Sequence, residues 1–186
     1  MKISSILSVF VLFLSLQLSA QDLYFTKTAK VTLDATPENP VEEIEAINNE
    51  ATSFLNKSTG DLVFAVLVKS FRFQKALMEE HFNENYLESN KFPKSDFKGK
   101  ITDIASVNFD KDGTYPVTVE GKLTMHGVTQ TVSAKGEITV SGGKFSAKAK
   151  FTIQLSDYKV ERPGVVKDKI SETATIEVDA KYELKK

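Results

Sequence analysis

The sequence contains no cysteine among its 186 residues. Disulfide bonds, thiolate metal sites, cysteine nucleophiles and lipidation of an N-terminal cysteine are therefore excluded. Charge of neither sign is in excess, with 24 basic and 25 acidic residues, and the only arginines are Arg72 and Arg162. We do not expect a nucleic acid as partner, because nucleic-acid-binding domains carry a clear basic excess. Without disulfides, the fold must be held by its core.

The catalytic motifs that a single sequence can reveal are also missing. The chain has no G-x-S-x-G, no H-E-x-x-H, no P-loop and no Rossmann glycine pattern. His81 and His126 are its only histidines, and a catalytic zinc site usually needs three protein ligands. His81 with Glu84 could hold a metal only with help from elsewhere. We therefore expect no enzyme, no cofactor and no metal, and we expect both histidines to form structural hydrogen bonds.

The first twenty residues are typical of a secretory signal. A short basic start precedes an apolar stretch from Ile3 to Leu18, and two small residues then offer a cleavage site. An uncleaved membrane anchor is the alternative, but serines interrupt the stretch, which is marginal for a span of roughly 18 or more apolar residues. We predict a signal peptide over residues 1–20, one domain over residues 21–186, no membrane span in the mature chain, and a periplasmic or secreted location.

The C-terminal half alternates apolar and polar residues in four long segments, over residues 115–125, 128–140, 145–155 and 170–182. Side chains of a strand alternate between two faces, so each segment has one apolar and one polar face. Successive antiparallel strands of this kind form a barrel or a two-sheet sandwich, and we expect about eight. Glycine and alanine on the apolar faces leave room for an apolar ligand, and are equally compatible with tight corners in a filled barrel.

The N-terminal half is less regular. Tyr24 to Leu33 is predicted as a strand, and residues 41–56 as a helical turn that leads into a strand. Leu62 to Val68 is apolar on both faces, which favours a strand covered on its outer side. Ala76 to Leu87 is the one predicted helix, because its apolar residues recur at i, i+4 spacing.

Three tight turns are predicted from glycine-containing pairs. Asp112-Gly113 and Gly142-Gly143 are hairpin signals, because these residues accept the positive φ angles of short turns. His126-Gly127 is the third, between two of the alternating segments.

Three stretches carry motifs that are informative in combination. They are KALMEEHFNENYLESNKFPKSDFKGKI over residues 75–101, YPVTVEGKLTMHGVTQTV over residues 115–132, and FTIQLSDYKV from Phe151, continuing towards Ile170. Together they resemble the YceI family of secreted, lipocalin-like proteins that bind polyisoprenoids. The resemblance covers essentially the whole mature chain.

This resemblance implies an all-β fold, namely an eight-stranded antiparallel lipocalin-like barrel with one short helix. It also implies that the protein binds and sequesters or transports an isoprenoid lipid, a polyprenyl phosphate or a quinone, in the barrel interior. The residues alone leave open an enzyme acting on an apolar substrate in the same pocket, or a structural or interaction protein with a filled barrel. A homodimer is left open as well.

The inward-facing apolar residues are the candidate lining of the lipid site. Removing apolar surface from water contributes about 25 cal/mol per Å². Arg72 and Arg162 are candidates for a phosphate headgroup, because a planar guanidinium suits phosphate; a solvated loop is the alternative. The predicted lining residues are Phe64, Val66, Phe97, Val117, Val119, Leu123, Ala147, Ala149, Phe151, Ile153, Ile176 and Val178.

Overall fold

The computed structural model describes residues 22–184, which form a closed antiparallel barrel. The predicted signal peptide lies outside the described residues. The barrel closes because β1 pairs with β2 as well as with β9, in the order β1-β9-β8-β7-β6-β5-β3-β2. The strands are β1 Leu23–Asp34, β2 Glu45–Asn56, β3 Asp61–Leu67, β4 Arg72–Phe73, β5 Lys94–Ile101, β6 Gly113–Met125, β7 Val128–Ser141, β8 Lys144–Gln154 and β9 Thr173–Leu184.

Eight strands make the wall, and the two-residue β4 extends only the start of β2. One short helix, α1 (Ala76–His81), lies between β4 and β5 and continues as a π-helical turn over Phe82–Tyr86. The predicted all-β, eight-stranded antiparallel barrel with one short helix is therefore confirmed, and the two-sheet sandwich is not formed.

The period-two pattern places the apolar faces inside the barrel. Along β6 and β7, Val119 lies opposite Ala134 and Tyr115 opposite Ile138. Ala134 and Ile138 are buried, whereas their outward-facing neighbours on β7 are mostly exposed. The alternation thus decides which residues can reach an internal site.

The prediction of a helical turn before β2 is wrong, because β2 is extended from Glu45 onwards. Its buried positions change phase between Asn48 and Ala51. The pairing of β1 with β2 shifts register on both sides of Ala29, which lies opposite Ala51. Such an irregularity inserts an extra residue into a strand. The buried residues Asn48 and Ala51 are therefore three positions apart, which resembles the spacing on one face of a helix.

The outer side of β3 is not covered as predicted. Val63 and Leu67 point outward and are 37% and 48% exposed. The strand also ends at Leu67, where a 3₁₀ turn over Val68–Ser70 leads to β4. Its apolar outer face is therefore open among residues 22–184.

Two of the three predicted turns are hairpin turns. Gly142 and Gly143 join β7 to β8 with positive φ angles, and His126 and Gly127 do the same between β6 and β7. Asp112-Gly113 is not a hairpin turn, because residues 102–112 form a longer loop after β5. The Asp112 carboxylate instead accepts a hydrogen bond from the backbone N–H of Gly142, at 3.0 Å.

Candidate functional site

The barrel encloses an apolar cavity of about 120 Å³. An engineered apolar cavity of about 150 Å³ stays dry and admits benzene, whereas pockets for drug-sized ligands measure about 300–1,000 Å³. The interior is therefore not packed solid. In this conformation it is also too small for a long lipid chain.

Eleven of the twelve predicted lining residues face this cavity, which leaves out only Ile153. Ile153 is buried near the α1 end of the barrel, on the same face of β8 as Phe151. Whether the eleven contact a lipid stays a prediction. They are Phe64, Val66, Phe97, Val117, Val119, Leu123, Ala147, Ala149, Phe151, Ile176 and Val178.

Other lining residues were not among the predicted ones, and they fall into two groups. The first group stands in the alternating segments, on the face that the period-two pattern already marks as apolar, and consists of Met125, Val132, Ala134, Ile138 and Tyr182. The second group comes from β1, β2, β3, the segment around α1 and the end of β5, where alternation is weaker. It consists of Val31, Leu33, Leu55, Leu62, Phe71, Phe82, Leu87 and Ile101.

Small residues on the apolar faces do two different things. Ala147 and Ala149 border the cavity and leave its space open. Gly121 leaves no space, because a Cβ there would lie 2.6 Å from Cζ of the Phe97 ring and 2.5 Å from the Cα of Gly99. The glycine thus leaves room for the Phe97 ring, whereas the two alanines border the cavity.

A second cavity of about 160 Å³ lies between the barrel end and α1. Met78, Phe82 and Tyr86 line it from the helical segment, and Val160 and Ile170 line it from the loop before β9. Burial raises the pKa of the Tyr86 phenol. The i, i+4 pattern that predicted the helix therefore marks its cavity-facing side.

The two cavities share part of their lining. Both are lined by Leu33, Phe82, Leu87 and Met125. Phe82 and Leu87 belong to the helical segment, not to the barrel wall. A movement of this segment would therefore change the shape of both spaces.

The polar side chains inside the barrel hydrogen-bond to one another or to the backbone. The Tyr182 and Ser53 hydroxyls are 2.7 Å apart, and burial raises the pKa of Tyr182. The Asn48 amide donates to the carbonyl of Leu67 at 3.0 Å. These bonds satisfy polar groups that would otherwise oppose an apolar interior.

Neither arginine lines either cavity. Arg72 lies 3.0 Å from a carboxylate oxygen of Glu79 on α1. Arg162 donates to the carbonyl of Ile170 at 2.7 Å and to the carboxylate of Glu172 at 2.5 Å. Both guanidinium groups therefore stabilise local structure, and a role in headgroup binding stays a prediction.

His126 bridges three parts of the chain, as expected for a structural histidine. Its Nδ1 donates to the carbonyl of Tyr158 at 3.0 Å, and its Nε2 lies 2.8 Å from a carboxylate oxygen of Glu88. The hydrogen bond with His126, reinforced by Lys91, lowers the pKa of Glu88. The prediction for His81 is wrong, since its side chain is exposed and its ring forms no hydrogen bond within residues 22–184.

Residues 22–184 contain no group of three or more His, Asp or Glu side chains that could hold a metal ion. None of the helices in that part of the chain has the length and apolar character needed to cross a bilayer.

The fold and its interior define a closed eight-stranded antiparallel barrel with an apolar internal cavity. The family model of the YceI-like domain matches residues 25–182, and the chain therefore belongs to the YceI family. No curated protein matches the sequence.

Solved structures share this fold at low sequence identity. A polyisoprenoid binding domain from Saccharophagus degradans, implicated in plant cell wall breakdown, superposes with a TM-score of 0.75 at 11% identity, over 89% of this chain and 99% of that one. Burkholderia cenocepacia BcnA gives 0.66 at 15% identity, over 83% and 96%. The Campylobacter jejuni YceI protein gives 0.56 at 14% identity, over 81% and 90%.

Proposed function

We propose that the protein binds an isoprenoid lipid in its barrel and thereby sequesters or transports it. The observation that carries the proposal is the apolar cavity enclosed by the eight strands, with a second apolar cavity beside it. The Saccharophagus degradans structure of the same fold, described as a polyisoprenoid binding domain, supports this ligand class. A polyprenyl phosphate or a quinone would place its chain inside and its head near the α1 end.

Apolar burial supplies the driving force for this binding. Each Å² of isoprenoid surface removed from water contributes about 25 cal/mol. The lining offers almost no polar area that a hydrocarbon chain would leave without hydrogen bonds. Binding of this kind requires no covalent chemistry, so we propose a carrier and not an enzyme, acting in the periplasm or outside the cell after removal of residues 1–20.

A long isoprenoid needs both cavities. Neither cavity alone reaches the volume of an ordinary ligand pocket. Because Phe82 lines both cavities, a bound chain would extend from the barrel past Phe82 into the space under α1. The ligand-bound protein should therefore differ from this conformation mainly around residues 76–87.

The test is organic extraction of the protein purified from its own host, followed by mass spectrometry. A stoichiometric isoprenoid is expected. The variant Ala147→Phe would put a ring into the first cavity and should lose the lipid, while Thr152→Phe on the opposite face of β8 should keep it. A clean extract, together with no uptake of added quinone or polyprenyl phosphate by the wild-type protein, would overturn the proposal.

A further inference from the structure

A single row of side chains crosses the outer surface of the barrel over five strands. Backbone pairing sets Phe25 opposite Phe54 and Phe54 opposite Val63. It then sets Val63 opposite Lys98 and Lys98 opposite Lys122. Residues opposite each other share a face, so three apolar side chains are followed directly by two lysines. We refer to these five residues as the outer row.

The apolar part of the outer row contrasts with the rest of the barrel exterior. The rings of Phe25 and Phe54 stack with centroids 6.4 Å apart, and both are half-buried. Val63 is exposed, and so is Leu67 further along the same face of β3. The outward positions of β6 to β9 are mainly Thr, Ser, Lys, Glu and Asp. Among the outward positions of the strands, the exposed apolar side chains Val63 and Leu67 therefore lie on one side of the barrel, whereas Val41, Leu77 and Val165 are exposed outside the strands.

The lysine part carries an unfavourable contact. Like charges directly opposite each other on neighbouring strands destabilise a sheet. Neither Lys98 nor Lys122 forms an ion pair within residues 22–184, although Asp96 lies on the same face of β5. An external anion would relieve this repulsion.

Two lysines on the outer face of β8 are paired, unlike Lys98 and Lys122. On β8, Lys148 lies 3.6 Å from a carboxylate oxygen of Asp179, and Lys150 lies 2.6 Å from one of Glu177. Like Lys98 and Lys122, these two lysines are exposed on the outer face of the barrel, but each forms an ion pair within the molecule. They are therefore a matched control for the lysines of the outer row.

We propose that the outer row is a docking surface for an anionic lipid bilayer. Apolar side chains enter the boundary between headgroups and acyl chains, and adjacent lysines meet the lipid phosphates. A second copy of the chain is a poorer fit, because a stable protein interface buries about 800 Å² on each partner and the exposed apolar side chains here are essentially Val63 and Leu67. The inference goes beyond lipid binding in the barrel and does not depend on it.

The test is co-sedimentation with vesicles of phosphatidylcholine, with and without phosphatidylglycerol, at low salt. All proteins are purified from the same host, so that every variant has the same N-terminus. Wild-type protein should bind the anionic vesicles and be released by added salt. The double variant Lys98→Gln/Lys122→Gln should bind about 25-fold more weakly, since one lysine near an anionic surface is worth roughly fivefold. The control Lys148→Gln/Lys150→Gln should stay within about twofold of wild type.

A second variant tests the apolar part. Val63→Thr retains a β-branched residue and should weaken vesicle binding several-fold, while its circular dichroism and thermal midpoint show that the fold is kept. Equal vesicle binding by Lys98→Gln/Lys122→Gln and by the control Lys148→Gln/Lys150→Gln would overturn the proposal. A wild-type protein that does not bind anionic vesicles would overturn it as well. A dimer in sedimentation velocity that Val63→Thr dissociates would assign the surface to a second copy instead. Loss of extracted isoprenoid with vesicle binding intact would contradict only the carrier function.

Discussion

Two buried tyrosines, one in β9 and one in the turn after β8, differ in the hydrogen bonding of their hydroxyl groups. Tyr158 is 1% and Tyr182 is 3% exposed. The Tyr182 hydroxyl is bonded to Ser53, whereas the Tyr158 hydroxyl finds no partner within residues 22–184. Burial raises the pKa of Tyr158 to about 12, so both phenols stay neutral under ordinary conditions. The two side chains differ mainly in whether their buried oxygen is satisfied.

Removing these two hydroxyls should therefore have opposite consequences. Tyr182→Phe leaves the Ser53 hydroxyl buried without its partner, and we expect a loss of about 1–3 kcal/mol in the free energy of unfolding. Tyr158→Phe removes an oxygen that already lacks a partner, and we expect no loss or a gain of up to about 1 kcal/mol. Urea denaturation of both variants measures the difference. Equal losses would show that the Tyr158 hydroxyl is satisfied in solution, in contradiction to this structure.

At the scale of elements, the β6–β7 turn depends on a glycine for two separable reasons. Gly127 has a φ of +73°, and a Cβ there would lie 2.5 Å from the Phe92 ring. That ring packs edge-on against His126 at 4.9 Å between centroids, so it is not free to move aside. Gly143, in the β7–β8 turn, has a nearly identical φ of +75° and nothing within 4 Å.

The two turns allow the backbone cost to be separated from the steric cost. Gly143→Ala should lose about 1–2 kcal/mol, the usual cost of placing an alanine in the left-handed region. Gly127→Ala should lose a further 1–3 kcal/mol or so, because the new methyl group overpacks against Phe92. Thermal and urea unfolding of both proteins tests this. If the two variants were equally stable, the contact with Phe92 would carry no cost.

How much the sequence predicts also varies by element. The long C-terminal strands were predictable, because an apolar period of two over ten or more residues is incompatible with the 3.6-residue period of a helix. β2 was misread at its start, because the phase change between Asn48 and Ala51 depends on pairing with β1. The outer face of β3 was misjudged because hydrophobicity alone does not show whether a residue such as Val63 is covered. Local patterns report the face of a strand, and only tertiary contacts decide what lies against it.

The candidate site follows the same rule. Nearly all lining residues predicted from alternation reach the first cavity. The second cavity was not foreseen, since it forms where Phe82 and Tyr86 meet Ile170 of a distant loop. The hydrogen bonds by which Arg72 and Arg162 stabilise local structure were also not predicted, because their acceptors include backbone carbonyls. Contacts between distant segments and hydrogen bonds to backbone carbonyls produce no periodic pattern in the sequence.

At the scale of the whole molecule, the helical segment around Phe82 contributes to the lining of both cavities. Phe82 lines both spaces, and its ring contacts Phe71 on the barrel side and Phe73 on the other, with centroids 5.5 and 5.0 Å apart. Phe71 is a matched ring of the same size that lines the first cavity alone. Replacing Phe82 removes a ring that lines both cavities, whereas replacing Phe71 enlarges only the first cavity. Comparing the two variants therefore distinguishes these effects.

We expect Phe82→Ala to join the cavities and to raise the association rate of a long-chain prenylquinone at least tenfold. Phe71→Ala should leave that rate within about threefold of wild type, because the Phe82 ring stays in place. Both variants should lose about 3–5 kcal/mol of stability, the usual cost of removing a buried phenylalanine ring, so stability cannot explain a difference in rate. Stopped-flow fluorescence with delipidated protein measures the rates, and chemical denaturation checks that both variants are folded. Equal acceleration in the two variants would mean that the ring of Phe82 is no barrier, and that the lipid enters the barrel without passing under α1.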